Sequence, residues 1–142
     1  MRQVFKVAEQ FGELSACHVI GSSEVDTWGK TQWEERLHDQ DLLVTTPQLF
    51  LDTLCASHIN LSLFGVIVLH ECQHCSGSHP FAKLFSDHYV KPGCQGEIRV
   101  LGLSRNLVKR KVKDATERQR LIGRLEKTMK SQVLSFDVEK LT

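Results

Sequence analysis

The chain has 142 residues, 41% of them hydrophobic and 25% charged, the composition and length of one globular domain. Its 18 Lys and Arg against 17 Asp and Glu leave a formal net charge of +1, which gives no global case for a nucleic-acid or anionic-membrane partner. No stretch reaches the roughly 20 apolar residues that span a bilayer, Met1 to Glu13 lacks the uninterrupted hydrophobic region of a signal peptide, and the odd number of cysteines, 5, reads as reduced intracellular thiols.

In chain order, helix and strand patterns alternate. Val4, Val7, Ala8, Phe11 and Leu14 recur at helical spacing over Gln3 to Leu14. His18 to Gly21 has a short strand pattern, and Thr31 to His38 suits a helix. Asp41 to Thr46 carries Leu42, Leu43 and Val44 and reads as a buried strand. Pro47 can open the next helix, where its missing N–H costs nothing; Leu49, Phe50, Leu51 and Leu54 follow. Val66 to Leu69 is the plainest strand, and its lack of polar alternation predicts burial on both faces, as in a parallel sheet. Pro80 opens a short helix through Phe85, and Ile98 to Leu103 is a further strand. A long polar helix runs from about Asp114 to Ser131, with Leu121, Ile122, Leu125 and Met129 as its stripe. Val133 to Phe136 closes with a strand pattern. No internal repeat or low-complexity tract interrupts this alternation, which predicts a doubly wound, mostly parallel α/β sheet flanked by helices. The Lys- and Arg-rich run from Val108 to Arg120 reads as a solvated helix face.

Open α/β sheets bind ligands at the carboxyl ends of their strands. Three polar clusters fall there: Thr45-Thr46-Pro47-Gln48, His70-Glu71-Cys72-Gln73-His74 and Ser104-Arg105-Asn106. In this order, after three apolar strands, they resemble superfamily 2 helicase motifs. The wider pattern resembles the Dicer family. It comprises Trp28 and Trp33, the run from Asp41 through Thr46-Pro47-Gln48 to Leu54, Ile59-Asn60-Leu61, Val66 to His74, His79-Pro80-Phe81, Arg99 to Ser104, and the tail helix containing Leu125-Glu126-Lys127. The similarity covers about Val19 to Ser135. Duplex-RNA sensors of innate immunity share much of it, and the paired tryptophans and the tail helix point to Dicer.

The resemblance implies a single, N-terminally incomplete RecA-like (P-loop NTPase-type) domain over 1–142, the first of the helicase region. About 1–106 would be the sheet core with its motifs, and about 107–142 a trailing helix and strand. It also implies a nucleotide site in which an Asp holds Mg²⁺ and a Glu polarises the attacking water. This chain departs there. His70 stands at the Asp position, Glu71 is retained, Cys72 follows, and Gln73 replaces the family's His. A neutral imidazole is a poor substitute for a hard carboxylate oxygen toward hydrated Mg²⁺. Ser104-Arg105-Asn106 stands where the family has Thr-Ala-Ser. No Gly-x-x-x-x-Gly-Lys-Ser/Thr occurs in these residues, so they hold no phosphate cradle or its lysine. The second RecA-like domain, whose arginine can be worth about a thousandfold in rate, is not in this sequence either. Motifs II and III therefore read as vestigial, with no catalytic residue. Thr46, Pro47 and Gln48 are the best-kept motif, and the resemblance gives them contact with an RNA sugar-phosphate backbone, where a helix N-terminus suits phosphate oxygens.

Other readings of the same residues stand beside these. Thr46 can simply cap the helix that Pro47 starts. His70, Cys72, Cys75 and His79, with His74 and Cys94 available, have ligand types for tetrahedral zinc; the blander reading is buried thiols and surface imidazoles. Cys72 or Cys75 beside His74 or His79 could form a nucleophile pair, but that requires triad geometry and a depressed thiol pKa. Trp28 and Trp33 could stack on bases; five residues apart they do not share a helix face, which favours packing onto the sheet.

The expectation is a non-catalytic, degenerate helicase-region module of a Dicer-like endoribonuclease of small-RNA processing, structural or auxiliary in RNA binding, with no cofactor of its own. The alternatives are an ATPase that takes up ATP and Mg²⁺ through an upstream phosphate loop, and a zinc-stabilised interaction module. Expected partners are double-stranded or hairpin RNA through the parent protein, other Dicer domains and a double-stranded-RNA-binding protein, with no membrane. The expected location is cytoplasmic. Without a phosphate-loop strand the isolated chain should be marginally stable.

Overall fold

Two parallel strand pairs organise the chain. The computed structural model describes residues 14–91, 97–108, 112 and 114–134. They belong to two compact units, 1–63 and 64–142. The helix expected over Gln3 to Leu14 lies outside the described residues except for its last position, Leu14.

In the first unit, β1 (Ala16–Val19) pairs parallel with β2 (Leu42–Thr45), in register from Ala16 opposite Leu42 to Val19 opposite Thr45. Parallel neighbours need a crossover of a dozen or more residues. Here it carries a 3₁₀ turn (Val25–Thr27) and helix α1 (Lys30–Leu37). β1 begins two residues before the expected His18 and stops before Gly21. Its start is set by Ser15, whose N–H donates to Asp41 Oδ2 at 2.9 Å while its carbonyl accepts from the N–H of Asp41 at 2.8 Å. Cys17, Val19 and Val44 are buried, the alternation expected of strands with one covered face. Gly29 caps α1, its N–H donating to Gln32 Oε1 at 3.0 Å. Helix α2 (Pro47–Cys55) starts with its proline in the first turn and buries Leu51, Thr53 and Leu54. Ile59 and Leu61 are buried after it.

In the second unit, β3 (Val66–His70) pairs parallel with β4 (Arg99–Leu103), in register from Val66 opposite Arg99 to His70 opposite Leu103. The crossover holds a 3₁₀ turn (Cys72–His74) and helix α3 (Pro80–Lys83). The expected short helix is longer than its sequence pattern: α3 runs on through a wider π-type turn, Leu84–Tyr89. That turn buries Leu84, Phe85 and Tyr89, and the Tyr89 hydroxyl donates to the Ile98 carbonyl at 3.1 Å. Burying a Phe side chain fully, as at Phe85 with 1% exposure, stabilises a fold by about 1.5–3 kcal/mol. Helix α4 (Ala115–Met129) is capped by Asp114, whose carboxylate accepts from the N–H of Thr116 at 3.1 Å, and it ends at Lys130 in a left-handed conformation. Its buried positions are Leu125 and Met129. Of the basic run Val108 to Arg120, residues 114–120 are exposed, Val108 is half-buried and Val112 is buried, and the helix begins only at Ala115; 109–111 and 113 lie outside the described residues.

Two expectations change. β3 is not covered on both faces: Ile67 and Leu69 are buried, but Val66 and Val68 are each 54% exposed. An unbroken apolar run states only that either face tolerates burial, and here only one faces the core of the unit. Val133 and Leu134 form no strand; the Val133 N–H instead donates to Glu126 Oε1 at 2.8 Å, which turns the chain back on α4. Ser135 and Phe136 lie outside the described residues. Among the described residues, no helix is long and apolar enough to cross a membrane.

Candidate nucleotide and nucleic-acid sites

The three polar clusters stand at the carboxyl ends of β2, β3 and β4. The second and third are tied to each other. β3 ends at His70, and Glu71 then takes a left-handed conformation (φ 61°, ψ 47°) that turns the chain into Cys72–His74. A non-glycine residue there is uncommon and marks a locally imposed geometry. The turn brings the Gln73 side chain back over Glu71, and Gln73 Nε2 donates to Glu71 Oε2. The Ser104 hydroxyl, 31 residues further on, donates to Gln73 Oε1 at 2.5 Å. Ser104 Oγ in turn accepts from the N–H of Asn106 at 3.1 Å. The pairing of His70 with Leu103 sets this link, because it aligns the two strand ends.

The chain of bonds fixes the Gln73 carboxamide: its NH₂ faces the carboxylate and its oxygen faces the hydroxyl. A carboxamide carries no charge, so Gln73 holds Glu71 by a hydrogen bond and not by an ion pair. His70 Nε2 lies 4.0 Å from Glu71 Oε1; the His70 side chain is exposed and that of Glu71 is half-buried. One carboxylate and one solvated imidazole are thus what the end of β3 offers a ligand. Arg105 and Asn106 are exposed. The bridging role of Gln73 was not legible beforehand, since nothing in the sequence says that a side chain after β3 reaches the residue after β4.

Cys72 and Cys75 are 3% and 1% exposed. Burial pushes the Cys72 thiol up, opposed in part by a backbone hydrogen bond and reinforced by Glu71. Burial, with a smaller contribution from Cys72, pushes Cys75 up to about 12. Both favour the protonated thiol, the opposite of an activated nucleophile or a ready metal ligand. His79 Nδ1 accepts from the N–H of Phe81 at 3.2 Å and so caps α3, and its ring stacks on His74 with centroids 5.5 Å apart. Among the described residues, no three or more His, Cys, Asp or Glu side chains gather as a metal site; Cys94 lies outside them.

Thr46 caps α2, its Oγ1 accepting from the N–H of Leu49 at 3.4 Å, with Pro47 in the first turn. Gln48 is exposed, and its Nε2 donates to Asp52 Oδ1 at 2.7 Å. The hydroxyl of the neighbouring Thr45 is buried and has no hydrogen-bond partner among the described residues. The two tryptophans meet, with centroids 5.3 Å apart and planes at 80°. Trp28 precedes α1 rather than lying on it, which frees it from helical spacing, and Trp33 is buried at 2% exposure.

No family model matches. The chain is 32% identical over 124 residues to "Endoribonuclease Dicer homolog 2" of Arabidopsis thaliana, covering 85% of this chain and 9% of that protein. It is 30% identical over 141 residues to "Endoribonuclease Dicer homolog 2b" of Oryza sativa subsp. japonica, covering 96% of this chain and 10% of that protein. With "Dicer-like protein 2" of Cryphonectria parasitica it shares 29% over 132 residues, 92% of this chain and 9% of that protein. Among solved structures, the helicase domain of Hef from Pyrococcus furiosus superposes with a TM-score of 0.66 at 15% identity, covering 96% of this chain and 26% of that one. The chain belongs to the Dicer family. It spans about a tenth or less of the length of these Dicer relatives. The Hef likeness establishes the RecA-like α/β fold, to which the parallel pairs and helical crossovers of this Dicer segment conform.

Proposed function

We propose that this Dicer-family segment is a non-catalytic helicase-region module of an endoribonuclease of small-RNA processing, which braces the helicase arm and gives auxiliary contacts to double-stranded or hairpin RNA. One observation carries the reading. At the end of β3 the position for a magnesium-holding carboxylate is the exposed imidazole of His70, while Glu71 is held by Gln73 and, through it, by Ser104. A triphosphate brings charge that needs both a cation and a cradle of N–H groups and lysine. These residues offer neither an acidic pair for the cation nor a glycine-rich loop for the phosphates. Ribonuclease chemistry, on this reading, belongs to other domains of a longer protein, which acts in the cytoplasm with RNA and a double-stranded-RNA-binding partner. At Thr46, Pro47 and Gln48, the capped start of α2 supplies the N–H groups and dipole that suit a phosphate oxygen.

A second reading has its own support. Glu71 is retained and is held, through Gln73, to Ser104, an arrangement an ATPase could use if a phosphate loop were supplied from a longer chain. Steady-state ATP turnover separates the two. The chain alone should release phosphate at the uncatalysed rate, with or without duplex RNA. Turnover by the chain alone that Glu71→Gln stops would overturn the non-catalytic reading. Turnover seen only in a longer protein that supplies a phosphate loop, and stopped there by Glu71→Gln, would favour the second.

A further inference from the structure

A concave site is lined by none of the residues of the three motif clusters. Trp28, Gln32, Glu35, Arg36, His38 and Gln40 line an open groove of about 420 Å³ along α1 and the turns at its two ends. That volume is within the range of small-molecule sites, roughly 300–1,000 Å³. Trp33 is buried and meets Trp28 edge-to-face, so the plane of the Trp28 ring is set before any ligand arrives. Gln32 commits its oxygen to the N–H of Gly29, which leaves its NH₂ group as a donor. Arg36 has no carboxylate within ion-pair distance among the described residues, whereas Lys30 is paired with Glu34 at 3.7 Å.

We propose that this groove binds an unpaired nucleobase, with Trp28 as the stacking face and Arg36 as the cation beside it. The chemistry of the lining selects that class. One aromatic plane supplies sequence-tolerant stacking of the kind that holds single-stranded nucleic acid. The amides of Gln32 and Gln40 and the carboxylate of Glu35 match the donors and acceptors on base edges. Glu35 also makes the groove a poor site for a bare anion, so recognition rests on the base, and Arg36 serves the base or its attached phosphate. An apolar protein side chain would leave most of these polar groups unpaired on burial. The site uses none of the residues of motifs II and III, and the proposal does not depend on the RNA-bracing role.

The test is an NMR titration of the full chain, read at the two tryptophan indole N–H signals, with AMP, CMP, GMP and UMP as probes. Each nucleotide should move the Trp28 signal saturably, with a dissociation constant on the order of millimolar that Mg²⁺ does not change. The buried Trp33 signal should move much less. Inorganic phosphate should leave both in place. Arg36→Glu, on an exposed helix position, should keep the Trp33 signal at its parental position and weaken nucleotide binding roughly tenfold or more. A ten-nucleotide single-stranded RNA should bind more weakly to Trp28→Leu than to the parent chain. A Trp28 signal that no nucleotide moves up to roughly 10 mM, as a groove built for a protein side chain would give, overturns the proposal. So does a shift of equal size and midpoint in Arg36→Glu, or one that inorganic phosphate reproduces.

Discussion

Gly102→Ala should destabilise the chain by overpacking against Met129 and Cys72. Gly102 sits in β4, and a methyl group there would come within 2.7 Å of Met129 Cε, 2.9 Å of Cys72 Sγ and 3.0 Å of Cys72 Cβ. Ordinary carbon contacts lie near 3.5–4.0 Å. Met129 and Cys72 are 2% and 3% exposed, so neither can swing into solvent. Overpacking of this kind costs about 1–3 kcal/mol, and each kcal/mol lowers Tm by roughly 2–4 °C in a chain of this length. The displacement should also reach the site, because Cys72 stands between Glu71 and Gln73 in the turn that orients both. Thermal and urea unfolding of the parent, Gly102→Ala, Met129→Ala and the double variant measure the effect. Met129→Ala alone should cost about 2–5 kcal/mol, and in its background Gly102→Ala should cost less, since the nearest clash is gone. A Gly102→Ala chain within about 0.5 kcal/mol of the parent would refute the reasoning.

Gln73→Ala should cost about 1 kcal/mol for each part-buried hydrogen bond it removes, and Ser104→Ala should cost much less in that background than in the parent; a double-mutant cycle by urea unfolding reads this coupling. Cys72 and Cys75 should react slowly with a thiol reagent at pH 8 in the folded chain and fast after unfolding; equal rates would place them at the surface. Burial pushes the Cys75 thiol from its ordinary value of 9.0 up to about 12 in the folded chain. Its contribution to stability is therefore complete below pH 9.0 and is lost as the pH rises from there to about 12. The denaturation midpoint of the parent should fall across that window, and less so in Cys75→Ala.

Element type was legible where one signal dominated. Pro47 after Thr46 marked the start of α2 because a capping hydroxyl and a proline suit the same two positions. Val66 to Leu69 marked β3 because β-branched residues fit a pleated surface. The misread features depend on the chain at a distance. Whether Val66 and Val68 are covered is a property of what packs on them, not of their hydropathy. The length of the α3 segment was hidden because Leu84, Phe85 and Tyr89 fit the core only through a wider turn than the 3.6-residue period describes. Val133 resembled a strand residue, but a bond from its N–H to Glu126 decides its conformation. In the site, the order of the clusters was readable and their connection was not. The Gln73–Ser104 bond follows from the β3–β4 register, which no local pattern encodes. Gly102 did carry a signal, because a glycine inside a strand pattern often marks close approach by a neighbour.

The most direct test of the central claim is calorimetric titration of the full chain with ATP, with and without Mg²⁺, in the parent and in Glu71→Gln. The account predicts no binding tighter than millimolar, about −4 kcal/mol, and no change on adding Mg²⁺ or removing the Glu71 carboxylate. Micromolar ATP binding that requires Mg²⁺ and is lost in Glu71→Gln would contradict it.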